Sequence, residues 1–269
     1  MSDHAHSSPS VPGQPAERAP GHATGDGHAA GHGHGAGDGH AAHSPGGSPG
    51  RQPGGTPWRL DPAGTTLLVV DMQNGYVHPD GDIGRRGQGA ALQAVVPAVG
   101  RLVDLAHAAG MDVCWSRQEH LPDDATRRVR RLQSHHHGEG RSHAPCLRGT
   151  WDAEIEASLA ARIRPADYVF TKHRASCFYS TSLEVMLRMR AIDLVVVCGV
   201  TTNYCVDSTV RDAYARDLEV ILVGDACAAL DQDLHDATLR NTALLHGKVV
   251  ELEELAGALA PAMDAIHGA

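Results

Sequence analysis

Leu194 to Arg216 reads LVVVCGVTTNYCVDSTVRDAYAR, and its division into an apolar run, a polar turn and a helical stripe decides the fold. Leu194 to Cys198 is continuously apolar, as a strand covered on both faces requires. Gly199 and the small polar turn Thr201-Thr202-Asn203 end it. Val206, Val210, Ala213 and Tyr214 then recur at i, i+4, i+7 and i+8, the spacing of one helix face. Cys205 falls in the first turn of that helix, just past the strand. Unpaired N–H groups and the positive end of the helix dipole favour a thiolate there. A buried structural cysteine is the plainer alternative, and this stretch alone does not separate the two.

Outward from that stretch, the same alternation repeats. Thr65 to Val70 is a short β-branched run that delivers Asp71 at its carboxyl end. Ala90 to Ala109 has a wide apolar helical face, interrupted by Pro97, which kinks the helix or moves its start. Gly110 suits its C-cap. Further strands are expected at Met111–Ser116, Tyr168–Thr171, Glu219–Val223 and Lys248–Glu251. Helices are expected at Trp151–Ile163, at Ser180–Arg190 with Ser180 or Thr181 as cap, at Leu234–His246 and at Leu252–Met263. Arg117 to Thr150 is a long polar connection of a kind that is usually functional or mobile. It contains His135-His136-His137, although adjacent side chains seldom converge on one ion. The pattern is that of an α/β domain, a mainly parallel sheet with helices over both faces.

The composition is uneven. In residues 1–57, 22 positions are Gly or Pro, and Val11 is the sole Val, Leu, Ile or Phe. Such a segment buries too little apolar surface to offset its ordering entropy, so a disordered tail is expected there, with a folded domain over 58–269 starting at Trp58. Eight of the 19 histidines lie in the tail (His4, His6, His22, His28, His32, His34, His40, His43). Their irregular spacing fixes no coordination geometry, and metal handling by the tail remains an open alternative. The start has no basic segment followed by an apolar run, so it does not read as a secretory signal. No run of about 18 apolar residues suggests a membrane span. A formal charge of −9 gives no reason to expect a nucleic-acid partner. Six scattered cysteines without a CxxC pair suit reduced thiols in a cytoplasmic protein.

In parallel sheets, ligands bind outside the carboxyl ends of the strands. Asp71, Lys172 and Cys205 all fall at that edge, each after a different strand. Any one of them is unremarkable; together they make an active site. A thiol attacks an acyl carbon once a base takes its proton, and Asp71 is the base available. Lys172 offsets the charge of that pair. Backbone N–H groups of Thr201 and Cys205, at the helix start, suit a tetrahedral oxyanion. The implied reaction is hydrolysis of a small amide, imide or ureide, with no cofactor and no metal.

At this point the chain resembles the isochorismatase-like cysteine hydrolases. The resemblance spans about Thr65 to Glu251. It rests on VVDMQNGY with Asp71, FTKHRASCFYSTSLEVMLR with Lys172, and CGVTTNYCVDSTVRDAYARDLEVILVGDACAA with Cys205. It implies a six-stranded parallel sheet in a three-layer α/β/α sandwich and an Asp-Lys-Cys triad at Asp71, Lys172 and Cys205. It also implies a non-proline cis peptide shaping the oxyanion hole, at Val200-Thr201, and a homodimer or homotetramer.

Within that family, isochorismatases proper lack the nucleophilic cysteine, so Cys205 points to a C–N bond hydrolase. Nicotinamidases carry a metal site with a WHPxH-like run, whereas this chain reads Arg117-Gln118-Glu119-His120-Leu121-Pro122. His78-Pro79-Asp80 and His120 would be only a remnant of such a site. The TTNYCVDST block and the run Lys172, Arg174, Ser176, Phe178 look most like amidohydrolases of carbamoyl and ureido compounds. Gln73, Asn74, Gln118, Arg174, Phe178 and Tyr179 are the substrate-binding candidates, with Arg174 suited to a carboxylate. Two alternatives stay open: a nicotinamidase-like amidase, and a non-catalytic family member with a metal-handling tail.

Overall fold

The computed structural model describes residues 59–121 and 145–267. The expected tail over 1–57, the start at Trp58 and the His135-His136-His137 run lie outside the described residues. Six strands form one sheet: β1 (Thr65–Val70), β2 (Asp112–Gln118), β3 (Tyr168–Lys172), β4 (Leu194–Val200), β5 (Glu219–Ala228) and β6 (Lys248–Val250). Their order across the sheet is β3-β2-β1-β4-β5-β6, and every pairing is parallel. Every residue of β1 is buried, and six of the seven in β4 are, which is what the continuous apolar runs demanded.

Among the described residues, eight helices connect and cover the strands: α1 (Asn74–Val77), α2 (Ala90–Ala94), α3 (Val96–Ala108), α4 (Ala157–Ala160), α5 (Leu183–Met189), α6 (Asp207–Tyr214), α7 (Gln232–Leu245) and α8 (Leu252–His267). Parallel crossovers are right-handed. The chain moves from β1 to β2 to β3 in one direction, through α3 and α4. From β3 it returns past β1 to β4 and continues to β6, through α5, α6 and α7. Right-handed connections running in opposite directions leave their helices on opposite faces, and α8 packs beside α3. The result is the expected three-layer α/β/α sandwich.

Several boundaries differ from the sequence expectation for local reasons. The helix expected over Ala90–Ala109 is two helices, broken at Val95, because Pro97 occupies the first turn of α3, where its missing N–H costs nothing. Gly110 follows with φ 72°. The helix expected at Trp151–Ile163 is replaced by a 3-10 turn, Trp151–Ala153, and the single turn α4. The intervening backbone is used elsewhere: Asn74 N–H donates to the Glu154 carbonyl and Glu156 N–H to that of Met72. α5 starts only at Leu183, with Thr181 Oγ1 accepting from Leu183 N–H and donating to the Cys177 carbonyl. β5 runs on through Asp225 to Ala228 instead of ending at Val223. Tyr214 does not share the buried stripe of α6; it is exposed and meets the His246 ring edge-on at 5.4 Å.

Candidate active site

β1 and β4 are neighbours on either side of the point where the strand order reverses, the place where an open parallel sheet leaves a crevice at its carboxyl edge. Asp71 follows β1, and Cys205 follows β4 after one short turn. Gly199 makes this closeness possible. It has φ 115°, and a Cβ there would sit 2.2 Å from the Val70 carbonyl oxygen. Only glycine lets β4 press its backbone against the end of β1 and bring the Cys205 turn over Asp71. Asp71 itself adopts φ 52°, a left-handed conformation that costs about 1–2 kcal/mol. That turn swings its carboxylate back over the sheet edge.

The carboxylate is fully buried and engaged from the β2 and β3 side. Oδ1 accepts a 2.7 Å hydrogen bond from Ser116 Oγ, and the same hydroxyl accepts from Asp71 N–H at 3.2 Å. Oδ2 lies 2.7 Å from Lys172 Nζ, in a pair with side chains 0% and 1% exposed. Oδ2 has lone pairs for this ammonium and for a second donor, and the Cys205 thiol also hydrogen-bonds to the carboxylate. The other two ammonium hydrogens go to Gln118 Oε1 and the Arg174 carbonyl, each at 3.1 Å. Burial, the largest influence on Lys172, pushes it toward neutrality. Asp71, with Cys205 and Cys177, overcomes that and holds the ammonium above the ordinary lysine range.

Cys205 belongs to a π-helical turn, Thr202–Val206, wound directly after a cis peptide between Val200 and Thr201. The cis bond is where the family resemblance placed it. Tyr204 and Val206 N–H groups both donate to the Thr201 carbonyl, with Cys205 between them. The expectation that the helix start favours a resting thiolate is not met. Cys205 is 6% exposed, and burial is the largest influence on its thiol, pushing it above its ordinary range. Lys172 pulls it down, while Asp71 raises it again by its charge and by a hydrogen bond. The resting site therefore holds a neutral thiol hydrogen-bonded to the Asp71 carboxylate.

Two participants were not singled out from the sequence. Ser116 orients Asp71, and its signal was a hydroxyl directly after the apolar run Val113-Cys114-Trp115, toward the carboxyl end of β2. Cys177 is a second buried thiol, raised by burial and lowered by Lys172, with Thr209 and Ser116 as hydrogen-bonding neighbours. Thr209 ties the two thiol-bearing segments together, accepting from Cys177 N–H at 3.0 Å and donating to the Cys205 carbonyl at 2.7 Å.

The six substrate-binding candidates separate into two groups. Gln73 is consumed in the scaffold: its amide donates to the Gln118 and Ala153 carbonyls and accepts from Gln118 N–H, at 2.7–2.9 Å. Asn74 donates to the Trp151 carbonyl at 3.0 Å. Gln118 holds Lys172, and Phe178 is buried with the Arg216 guanidinium 4.9 Å from its ring centre. Only Arg174 and Tyr179 face open space, lining a cavity of about 200 Å³ with His173 and Ser180. The His78 ring packs edge-on against Trp151 at 4.9 Å, and His120 is buried with its backbone paired to Cys146 and Arg148. Among the described residues no three His, Cys, Asp or Glu side chains converge as metal ligands.

Comparison with known proteins places this geometry in context. The family model of the Isochorismatase domain matches residues 65–254. The ureidoacrylate amidohydrolase RutB of Methylobacterium radiotolerans is 32% identical over 224 residues, covering 79% of this chain and 86% of that protein. A protein of Arabidopsis thaliana named a probable inactive nicotinamidase is 33% identical over 197 residues, 73% of this chain and 96% of its own. Among solved structures, a cysteine hydrolase from Pseudomonas syringae pv. phaseolicola superposes with a TM-score of 0.65 at 27% identity. That match covers 76% of this chain and 96% of the other.

Proposed function

The chain belongs to the isochorismatase family, as an amidohydrolase of non-peptide carbon–nitrogen bonds, and from that premise we propose that it hydrolyses a small ureido or carbamoyl compound through a covalent intermediate on Cys205. The observation that carries this reading is the buried meeting of a neutral thiol with the Asp71–Lys172 pair.

Asp71 Oδ2 takes the thiol proton as sulfur attacks the carbonyl carbon. An S–C bond forms, and the carbonyl electron pair moves onto oxygen, facing the backbone N–H groups of Thr201 and Cys205. Lys172 stays charged throughout and balances the negative charge that passes between the sulfur and the carboxylate. As the tetrahedral centre collapses the C–N bond breaks, and Asp71 returns the proton to the departing nitrogen. Water then attacks the thiocarbamate carbon, Asp71 takes its proton, the C–S bond breaks, and Asp71 passes that proton to the sulfur to regenerate the thiol, releasing a carbamate. Arg174, at the rim of the open cavity, suits a substrate carboxylate, which it binds with two parallel hydrogen bonds. The ureidoacrylate amidohydrolase among the relatives supports a ureide over a simple amide.

The relative named a probable inactive nicotinamidase keeps a second reading in view, a nicotinamide-type substrate or no catalysis at all. Ammonia release measured over ureides, carbamoyl amino acids, nicotinamide and small amides separates these readings. Activity is expected on a ureide, with kcat for Cys205→Ala reduced about 10⁴-fold or more. Undiminished release by Cys205→Ala would overturn the thiol mechanism, and turnover of nicotinamide alone would overturn the substrate class.

A further inference from the structure

The Cys205 turn has a second anchor that the reaction just described does not use. Thr202, the first residue of the π-helical turn, is fully buried, and its hydroxyl lies 2.8 Å from His235 Nδ1. His235 comes from α7, the helix after β5, so the contact joins two separate strand–helix units. That helix is itself fixed. It packs on the π turn, β5 and β6. Its first turn is closed by Asp231, whose carboxylate accepts from Leu234 N–H at 3.0 Å and whose carbonyl accepts from His235 N–H at 3.1 Å. Within the turn, the Thr201 carbonyl is occupied by the Tyr204 and Val206 N–H groups, and the Thr202 carbonyl by Asp207 N–H. The Thr202 hydroxyl therefore reaches outward from a segment whose backbone acceptors are already used.

We propose that His235 and Thr202 form a positioning pair for the nucleophile turn. The imidazole on α7 fixes the Thr202 hydroxyl, and through it the adjoining peptide N–H of Thr201 and the sulfur of Cys205 three residues on. This inference rests on the thiol mechanism above. Neither residue touches the reacting atoms. Their effect is on where the oxyanion donors and the sulfur stand, and small displacements of such groups are costly to rate. Burial holds His235 below the ordinary histidine range, with Asp236 opposing, so near neutral pH the ring has one donor and one acceptor nitrogen. Either tautomer completes the bond, because a threonine hydroxyl both donates and accepts.

The test compares the full chain with Thr202→Val, Thr202→Ser, His235→Ala, His235→Asn and the Thr202→Val/His235→Ala double variant. The readouts are kcat and KM on the best substrate of the panel, the rate of Cys205 alkylation by iodoacetamide, and thermal melting. Thr202→Val and His235→Ala are each expected to lower kcat by about 10- to 100-fold with KM within about threefold. The double variant should be no slower than the slower single, since both remove one contact. Thr202→Ser, which keeps the hydroxyl, and His235→Asn, which keeps a polar group near the Nδ1 position, should each recover most of the loss. Single variants within about threefold of the parent kcat, losses that multiply in the double, or a loss confined to KM would each overturn the inference. If Thr202→Val fails to fold, His235→Ala, on a half-exposed helical residue, carries the test with its asparagine control. Activity that survives Cys205→Ala sinks the thiol mechanism. A dead Cys205→Ala beside fully active Thr202→Val and His235→Ala sinks this inference alone.

Discussion

Two buried aspartates stand near opposite ends of the sheet, and they are used in opposite ways. Asp167 precedes β3, and its carboxylate accepts from His107 Nε2 at 3.0 Å, Trp115 Nε1 at 3.0 Å and Arg164 N–H at 3.0 Å. The His107 and Asp167 side chains are 5% and 4% exposed, and all three donors are fixed parts of the fold. Asp71 follows β1 and is equally buried, yet its partners are the Ser116 hydroxyl on Oδ1, the Lys172 ammonium 2.7 Å from Oδ2, and the Cys205 thiol. Burial therefore does not distinguish a structural carboxylate from a reactive one; the nature of the partners does. A carboxylate held by an indole, an imidazole and a backbone N–H locks a fold. One held in place by one oxygen and charged by a neighbour at the other is ready to receive a proton.

Removing the cation should expose that difference most sharply. Lys172→Met keeps the volume of the side chain but leaves Asp71 with no counter-charge in a site where both partners are buried. An uncompensated buried charge costs about 3–5 kcal/mol. Nothing then offsets the negative charge that passes between the Cys205 sulfur and the Asp71 carboxylate during attack. Urea unfolding should show that loss, and hydrolysis should fall by about 10³-fold or more in whatever fraction folds. A variant with parental activity would mean that Asp71 does not act as the base.

The matching change at the structural carboxylate should separate stability from rate. Asp167→Asn trades a carboxylate for an amide that cannot satisfy His107, Trp115 and the Arg164 N–H together. The expected loss is about 1–3 kcal/mol of unfolding free energy, with kcat per folded molecule within about twofold of the parent. A drop in kcat larger than the loss of folded protein would contradict the division drawn between the two carboxylates.

This contrast also marks what the sequence reveals and what it hides. The six strands were legible because each is a short apolar run ended by Gly or a polar residue, and the parallel arrangement followed from their alternation with helices. Asp71, Lys172 and Cys205 were legible for the same reason: each stands just past such a run, so the sheet carries all three to one edge. Which polar groups are saturated was not legible, since it depends on register. Gln73 and Gln118 suited substrate contact by type and position, but the β1–β2 pairing sets them to satisfy each other and Lys172. Trp151–Ile163 had helical composition, yet its backbone is taken by Met72 and Asn74. The resting thiol was misjudged because helix position is local, whereas the burial that outweighs it comes from the whole sheet edge.

The smallest expected effect concerns the thiols, which carry the same distinction between core and site. All six cysteines are free and buried, and burial raises each of them above its ordinary value near 9, Cys114 and Cys227 to about 12. A group that binds its proton more tightly folded than unfolded contributes stability that is complete below the unfolded value. That stability is lost as pH rises from there toward the folded value. Unfolding free energy should therefore be flat from about pH 7 to pH 8 with respect to the thiols, and fall above about pH 9. Each thiol contributes at most about 1.4 kcal/mol per pH unit. Cys198, whose only charged neighbour of note is another thiol, should account for a full share, so Cys198→Ala flattens the alkaline limb measured by urea midpoints at pH 7.5, 9 and 10. Cys177, beside the nucleophile, has the Lys172 ammonium working against burial, which shortens the window over which its proton is held. Cys177→Ala should flatten the limb less than Cys198→Ala does. An equal or larger effect would mean that the Lys172 ammonium does not act on Cys177, and that this site thiol is held no differently from a cysteine of the core.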